Sequence, residues 1–421
     1  MKDSGIEWIG EIPEGWEVSL LKYATRWKSE KGCPDAPVLS LYRDFGVVPK
    51  DSRDDNHNVT SLDTSNYKVV DIGDLVINKM KAWQGSMAVS DYRGIVSPAY
   101  HVCSITSNKV NKRYLHHLLR NPAYLPEYAR LSTGMRIGQW DLGFDDFKNI
   151  PFLIPPLDEQ EKIADYLDNG CASLDAILDK TRASIEEYKK LKQAVITQAV
   201  TKGVRGEREM KDSGVEWIGA IPKDWEIKRL KSFCTIVDCK NRTPDVFSDG
   251  KYTVVRTTCI KDCSFSYEGS YQTDTTNFKA WTLKGQPHKG DIFFTREAPV
   301  GEACLVPNAD NLCMGQRVMF FRPEDNSDAR YIMYSIYGPL VREYIASKNS
   351  GSTVGHLKLG QVACIPIFYC PPLEQKEIAD YLDAKCAEID GLIAKKEQLV
   401  KELESYKKSL IYEVVTGKRE V

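Results

Sequence analysis

Twelve cysteines are the first residues of this sequence that could do chemistry, because a thiolate can bind a metal ion or attack a substrate. Their closest spacings are Cys234–Cys239, Cys259–Cys263 and Cys364–Cys370, and no CxxC pair occurs. Zinc sites typically combine two short-spaced ligand pairs, and the chain contains only six histidines besides. We therefore predict reduced, buried thiols and no metal site.

A catalytic centre is not evident from the motifs either. The sequence has no GxxxxGK[ST] phosphate loop, no GxGxxG after a strand and no HExxH. The segment Asn121-Pro122-Ala123-Tyr124 resembles the Asn-Pro-Pro-Tyr motif of adenine methyltransferases, but its second Pro is Ala and it follows a predicted helix. We predict that this chain is not an enzyme by itself.

The composition limits the partners. A chain of 421 residues is long enough for two or three domains. Its 57 Lys and Arg against 59 Asp and Glu give a net charge of -2, whereas small DNA-binding modules are usually visibly basic. Any binding of nucleic acid would therefore be local, or shared with a basic partner. We find no apolar run of about 18 residues and no export signal at the start, which predicts a cytoplasmic protein without a membrane partner.

The strongest feature of the sequence is an internal duplication. Residues 1–22 and 210–231 are identical at fifteen of twenty-two positions without a gap. The segment IADYLDNGCASLDAILDK (163–180) matches IADYLDAKCAEIDGLIAK (378–395). Between these, GDLVINK (73–79) matches GDIFFTR (290–296) as a predicted strand, and RYLHHLL matches RYIMYSI in predicted helices at 111–121 and 328–337. The ends of the two copies are alike and their middles have diverged.

Each copy closes with a predicted long helix. After each PPL an acidic, Gln-rich entry suits a first helical turn, and the following forty or so residues contain no Pro. Apolar residues keep a seven-residue register in both copies, and both registers break at an equivalent position, Thr181 and Lys396. The register positions are Leu167, Leu174, Tyr188 and Val195 in the first copy and Leu382, Ile389, Leu403 and Leu410 in the second. We predict that the two helices pack together as one antiparallel coiled coil.

These repeated motifs resemble the specificity subunit of type I restriction–modification systems over essentially the whole chain. The resemblance rests on SGIEWIGEIPEGWEV at the start, on PPL followed by EQ and IADYLD, and on helices ending in AVTKG or VVTGK. KMKAWQGS with GIVSPAY, and CKNRTP with GKYTVVRTT, look like two different types of target-recognition domain.

The resemblance implies an α/β (α+β) fold. Two similar globular target-recognition domains would be joined by two long helices that form an antiparallel coiled coil, with an internal pseudo-twofold duplication that brings the chain ends together. We expect a first globule at 1–154, a central long helix at 155–206, a second globule at 207–370 and a C-terminal long helix at 371–421.

The resemblance also implies a division of labour. Each globule would read one half of a split, asymmetric site in double-stranded DNA. The helices would act as a spacer and dock two modification (methyltransferase) subunits that use S-adenosylmethionine, and two restriction subunits that use ATP and Mg²⁺ would join them. The chain itself would hold no cofactor.

Residues that could contact DNA are the Arg, Lys, Gln and His side chains near loops and strand ends of the diverged middles. In the first globule we select Lys79, Lys81, Arg136 and Gln139. In the second globule we select Arg296, Arg317, His356 and Lys358. Four tryptophans of the repeated openings, Trp8, Trp16, Trp217 and Trp225, are predicted core residues instead.

Two alternatives to a DNA-specificity subunit stay open at this point. One is a stand-alone nucleic-acid enzyme, a methyltransferase or nuclease whose centre has no recognisable motif. The other is a coiled-coil adaptor with no role in DNA binding.

Overall fold

The computed structural model describes residues 1–43, 45–53, 60, 63–136, 139–349 and 355–421. The chain forms two compact units, of which the first comprises Met1–Arg182 with Gln398–Val421 and the second comprises Ala183–Glu397. Each unit therefore contains one globule and a segment of each long helix. No helix within the described ranges is long and apolar enough to cross a membrane.

The first globule is built on an antiparallel sheet with the strand order Thr25–Lys28, Tyr100–Ile105, Asp74–Asn78, Met87–Val89. Beside it, Glu17–Leu20 pairs with Pro151–Ile154 and joins the opening of the globule to its exit. Its helices are Lys112–Leu119, Leu125–Leu131 and Phe144–Phe147. Its other strands are Lys2–Asp3, Glu11–Ile12, Leu39–Tyr42, Gly46–Pro49, Lys68–Val70, Gly94–Val96, Ser132–Arg136 and Gln139–Leu142.

The second globule repeats this sheet in the order Cys234–Val237, Val318–Pro323, Ile292–Thr295, Ala303–Leu305. Glu226–Arg229 pairs with Pro366–Tyr369 as in the first globule. Its helices are Thr275–Trp281, Ala329–Ile336, Pro339–Asn349 and Leu359–Ala363. Its other strands are Met210–Asp212, Ala220–Pro222, Tyr252–Val255, Ile260–Lys261, Ser264–Phe265, Tyr271–Thr273 and Leu312–Met314. The two-domain fold, the GDLVINK and GDIFFTR strands and the paired helical pieces are confirmed.

The long helices span Leu157–Lys202 and Pro372–Val415. Within the first unit, Lys407 Nζ lies 2.6 Å from Asp175 Oδ1 and Arg182 Nη2 lies 2.6 Å from Glu404 Oε1. As the residue number rises along one helix it falls along the other, so the segments run antiparallel. In the second unit Lys192 and Asp390 form the equivalent pair at 2.7 Å.

The predicted register of the helices is buried for the most part. Leu167, Leu174, Leu382, Ile389 and Leu410 are all buried, and this confirms the coiled-coil face. Thr181, at the break of the first copy, is also buried, and its hydroxyl donates to the carbonyl of Ile177 four residues earlier. A polar residue is tolerated there because the helix itself satisfies its hydroxyl.

The PPL and EQ motifs fasten each long helix to its globule. In the first unit the buried Gln160 accepts from the N–H of Asn111 at 2.8 Å and donates to the carbonyl of Pro155 at 2.8 Å. In the second unit Gln375 accepts from the N–H of Asp328 at 3.0 Å and donates to the carbonyl of Cys370. One buried amide thus connects the helix entry to the start of the globular helix in both copies.

The RY and IADYLD motifs form a second joint between globule and helix. Arg113, at the start of Lys112–Leu119, forms ion pairs of 2.7 and 2.5 Å with Asp165 and Asp168. Arg330 occupies the same place in the second unit and contacts Asp380 and Asp383 at 2.7 and 2.8 Å. These contacts explain why both motifs are retained in both copies.

The repeated tryptophans differ between the copies. Trp16 and Trp225 are fully buried, and Trp8 packs edge-on against Tyr124 with ring centres 4.5 Å apart, as predicted for core residues. The prediction for Trp217 is wrong, because 63% of that residue is exposed. The position two residues after Pro122 is Tyr124, whereas the position two residues after Pro339 is Val341, so the second copy lacks the aromatic partner.

The chain ends lie in one unit, as the duplication predicts. Lys418 Nζ donates to the carbonyl of Ile9 at 3.0 Å within the first unit. In the second unit Lys202, at the end of the central long helix, makes the corresponding contact with the carbonyl of Ile218 at 3.5 Å. Each opening segment therefore packs against the end of a long helix.

Candidate nucleic-acid interface

Lys79 and Lys81 lie on the turn that leaves the buried strand Asp74–Asn78. The turn closes with a short 3-10 helix, Ala82–Gln84, and with Gly85, whose φ of 81° is in the left-handed region that glycine adopts without strain. Lys79 Nζ lies 2.7 Å from Asp141 Oδ2, and Lys81 is exposed. The turn therefore presents Lys81 to solvent and fixes Lys79 by an ion pair.

Arg136 and Gln139 face each other across the hairpin Ser132–Arg136 and Gln139–Leu142. Their side chains lie outside the described part of the chain, as do residues 137 and 138. The hairpin backbone is tied to the lysine turn, because Leu142 N–H donates to the carbonyl of Lys79 at 3.0 Å. The structure thus brings the backbones of the two selected segments of the first globule together.

Aromatic contacts support the same arrangement. Trp83 on the turn and Trp140 on the hairpin meet with ring centres 5.2 Å apart. The end of the hairpin is also held by His101, which donates from Nε2 to the carbonyl of Leu142 at 3.1 Å. Burial lowers the pKa of His101, so the ring is neutral and acts as a packing and hydrogen-bonding group.

In the second globule Arg296 occupies the strand-end position of Lys79. Its Nη1 lies 3.0 Å from Asp238 Oδ1 and its Nη2 lies 3.3 Å from Asn241 Oδ1. The Arg296 side chain is almost fully buried. A contact between Arg296 and DNA stays a prediction, and it would require this buried ion pair to open.

Glu297 contacts two more of the residues selected from the sequence, Arg317 and His356. Its Oε2 lies 3.2 Å from Nε of Arg317, and its Oε1 lies 2.5 Å from Nδ1 of His356. Lys358 is exposed at the N-cap of the helix Leu359–Ala363. The structure therefore assembles Arg296, Arg317 and His356 around adjacent carboxylates.

Residues that sequence reasoning missed lie beside this cluster, on the loop that follows Cys234–Val237. Asn241, Arg242 and Thr243 are exposed, and the Thr243 hydroxyl donates to Oε1 of Gln316 at 3.3 Å. Lys240 lies 4.7 Å from the ring centre of Trp281. The signal was present in the CKNRTP segment, which is polar, basic and confined to the second copy.

The other residues that the sequence offered for chemistry have structural roles. Asn121 is buried and its Oδ1 accepts from the N–H of Ala123 at 2.8 Å, so the methyltransferase-like segment caps a 3-10 turn. Among the described residues no group of three or more His, Cys, Asp or Glu is placed to hold a metal ion. The cysteines are mostly buried, as predicted, but Cys33 is exposed.

Comparison with known proteins gives the context for this surface. The family model for the type I restriction modification DNA specificity domain matches the chain twice, at residues 28–187 and 222–402. The MjaX type I restriction enzyme specificity subunit of Methanocaldococcus jannaschii is 25% identical, with 97% of this chain and 95% of that protein covered. The MjaVIII specificity subunit of the same organism is 26% identical, with 97% and 93% covered.

A solved structure shares the fold. It comes from work on the complex assembly and conformational transition of the type I R-M system. The match has a TM-score of 0.70 at 16% identity and covers 97% of this chain and all of that one. The duplicated sheet, globular helices and long helices described above are therefore found in a protein of little sequence similarity.

Proposed function

Since this chain belongs to the type I restriction–modification DNA specificity family and has its DNA-recognition role, we propose that each globule reads one half of a bipartite, asymmetric site. One observation carries the proposal. The two globules have the same sheet topology and the same kind of joints to the helices, but the loops that follow the strand Asp74–Asn78 and the strand Ile292–Thr295 differ in chemistry. A shared framework with different polar surfaces suits two readers of different sequences.

The available side chains suit contacts with base edges and phosphates. Arginine and lysine pair with guanine, glutamine and asparagine pair with adenine, and the same cations contact phosphates without reading sequence. Lys81 in the first globule and Arg242 and Arg317 in the second are exposed donors of this kind. Local clusters of this size are compatible with a net charge of -2, provided that partner subunits contribute further phosphate contacts.

We further propose that the chain performs no chemistry and that its long helices dock the partner subunits. Two modification subunits would bring S-adenosylmethionine, and two restriction subunits would bring ATP and Mg²⁺. The retained joints at Arg113 and Arg330 support a docking role for the helices, because they hold each globule to a helix that a partner subunit could bind. The double match of the family model supports a partner that binds twice.

Methylation sequencing of a host that expresses the modification subunits, with and without this chain, tests the proposal. We expect methylation at one bipartite sequence only when the chain is present. Changing Lys79 and Lys81 together to Ala should relax one half of the site, and changing Arg317 to Ala should relax the other half. Equal loss at all sequences would mean that these residues contact phosphate or support the fold.

Purified chain incubated with DNA and S-adenosylmethionine in the absence of partners tests the absence of chemistry. We expect no methyl transfer under these conditions. Methyl transfer by the chain alone would overturn the proposal. In the methylation-sequencing experiment, a base preference of the modification subunits that is the same with and without the chain would make the chain an adaptor.

A further inference from the structure

Two arginines and one histidine of the second globule, Arg296, Arg317 and His356, surround two adjacent carboxylates, but the two arginines are not equivalent. We propose that Glu297 is a positioning residue that presents Arg317 to the edge of a guanine in one half of the DNA site, while Arg296 is an internal brace. This inference rests on the proposed function. It adds which of the selected cations reads a base, and what holds that cation in place.

The difference between the two arginines is one of exposure. The Arg317 side chain is 50% exposed, whereas the Arg296 side chain is 10% exposed and paired with Asp238. The backbones of the two residues are adjacent, since Arg296 N–H donates to the carbonyl of Arg317 at 3.1 Å. The buried arginine can therefore fix the strand end from which the exposed one projects.

Glu297 is placed to orient Arg317. The carboxylate is mostly shielded from solvent, and its Oε2 contacts Arg317 at Nε. The two terminal nitrogens of a guanidinium are the donors that a bidentate contact with guanine O6 and N7 can use. A side chain already held in one orientation loses less conformational entropy when it binds.

His356 contacts the second carboxylate oxygen of Glu297. Its Nδ1 contacts Oε1 of Glu297, and the two residues also form an isolated backbone bridge. Glu297 is therefore fixed at both oxygens and by its backbone. A carboxylate fixed in this way can hold an arginine in a defined direction.

The residue before Arg317 is held as well. The exposed Gln316 accepts at Oε1 from the hydroxyl of Thr243, and its carbonyl accepts from the thiol of Cys239 at 2.7 Å. Burial raises the pKa of Cys239 to about 11, so the thiol stays protonated and can donate. The backbone that carries Arg317 is thereby anchored to the loop after Cys234–Val237.

The test compares Arg317→Lys, Glu297→Gln and Lys289→Ala in a host that expresses the complete modification complex, by methylation sequencing. Lysine keeps the charge of Arg317 but lacks the planar guanidinium, whose Nε binds Glu297 while its two terminal nitrogens remain for guanine. We expect Arg317→Lys to lower the preference for one G·C pair of one half-site by at least about tenfold. Glu297→Gln is nearly isosteric and should relax the same pair by a smaller factor.

Lys289→Ala is the matched control, because Lys289 is an exposed cation at the opposite end of the strand that leads to Arg296. It should leave the methylated sequence unchanged. The other half-site should be read normally in all variants, which shows that the complex is folded and assembled. If Arg317→Lys abolished methylation altogether, relaxation of a single pair by Glu297→Gln would support the inference, and an unchanged site would overturn it.

Failure of the inference and failure of the proposed function give different results. An unchanged site in both Arg317→Lys and Glu297→Gln would mean that Arg317 contacts phosphate or solvent, while the chain still determines the sequence. Relaxation of different base pairs by the two variants would mean that Glu297 does not act through Arg317. A wild-type pattern that does not depend on this chain would overturn the proposed function itself.

Discussion

The two globules use the same joints to their helices but carry different cations at the end of the corresponding internal strand of their sheets. Arg113 and Arg330 each bind the two aspartates of a repeated DYLD segment, which lie three residues apart on one face of a long helix. After that strand, Lys79 is half-buried beside Asp141 in the first globule, whereas Arg296 is buried beside Asp238 in the second. The joints therefore constrain the sequence of both copies, whereas the surface beyond the strand is free to change.

Even the joints are not identical in their surroundings. The second aspartate of the motif, Asp168, accepts from His117 at 2.7 Å in the first unit, and Asp383 accepts from Tyr334 at 2.9 Å in the second. One aspartate is therefore held by an imidazole and the other by a phenol. Burial raises the pKa of Tyr334, so its hydroxyl stays neutral.

The largest expected difference concerns the strand-end cations. Arg296→Ala should destabilise the second unit by about 3 kcal/mol, because it leaves the largely buried Asp238 without its cation. Lys79→Ala should cost the first unit less than about 1 kcal/mol, since that pair is 33% and 46% exposed. Hydrogen–deuterium exchange, followed separately in peptides of the two units, measures both effects. Equal losses would mean that burial does not distinguish the two pairs.

A second difference lies at the entry of the long helices. Glu374 is buried and binds Arg208, whereas its counterpart Glu159 accepts from the indole N–H of Trp16 at 3.0 Å. Glu374→Gln should destabilise the second unit by about 2 kcal/mol, because Arg208 loses a charged acceptor. Glu159→Gln should cost the first unit less than about 1 kcal/mol, because an amide oxygen can still accept from Trp16.

Denaturant unfolding, with exchange to assign each transition, measures these two variants. A larger effect of Glu159→Gln would show that the first glutamate has a charged partner in solution that outweighs the indole. Buried Trp225, the counterpart of Trp16, carries an indole N–H without a hydrogen-bond acceptor in the described part of the structure. This is consistent with Arg208 having replaced tryptophan as the partner of the carboxylate.

The imidazole of His117, at the joint between Arg113 and Asp168, gives the stability of the first unit a specific dependence on acidic pH. The hydrogen bond from His117, and then Arg113, hold the pKa of Asp168 below its ordinary value. A lowered pKa contributes stability above the unfolded value of about 3.9, and that stability is lost as the pH falls through the folded value. His117→Tyr, which copies the second unit, should make the stability of the first unit less dependent on pH below about 5.

Thermal unfolding followed from neutral to acidic pH checks this dependence. The second unit of the same molecules is the internal control, because no residue of it has changed. An unaltered pH dependence of the first unit would show that Arg113 alone sets the ionisation of Asp168.

The sequence predicted the framework well because the framework is periodic and repeated. The heptad residues, the PPL and EQ entries and the matched strands all follow from local patterns that two copies state twice. The ion pairs between RY and DYLD could have been inferred from the same repetition, since Arg113 and Asp168 recur together as Arg330 and Asp383. The signal was that a basic and an acidic residue are retained together in both copies.

The surface could not be predicted to the same degree. Arg296 follows an apolar strand as Lys79 does, and only the fold shows that Asp238 reaches it. Trp217 lies in a segment nearly identical to that of Trp8. Trp8 packs against Tyr124, and the second copy has no aromatic residue at the position of Tyr124 to cover Trp217. Burial of a side chain is a property of its neighbours in space, and the diverged middles supply those neighbours.

The smallest expected effects concern an ion pair that the duplication repeats between the long helices. Asp175 with Lys407 and Asp390 with Lys192 are equivalent pairs, but the Lys192 side chain is 14% exposed and the Lys407 side chain is 26% exposed. Burial alone would lower the pKa of Lys192, but the hydrogen bond and charge of Asp390 outweigh it and the pKa is raised. The stability from this pair is therefore present below the unfolded value of about 10.4 and is lost as the pH rises through the folded value.

Replacing each lysine by Met keeps an unbranched side chain that is one heavy atom shorter and removes the charge. Lys192→Met should lower the stability of the second unit by about 1 kcal/mol, and Lys407→Met should lower that of the first by about 0.5 kcal/mol, because partly exposed pairs contribute little. Exchange in the helical peptides of each unit, at neutral pH, is the measurement. A stabilising Lys192→Met would show that apolar packing at this position outweighs the pair, as happens when the cost of desolvating two charges exceeds their attraction.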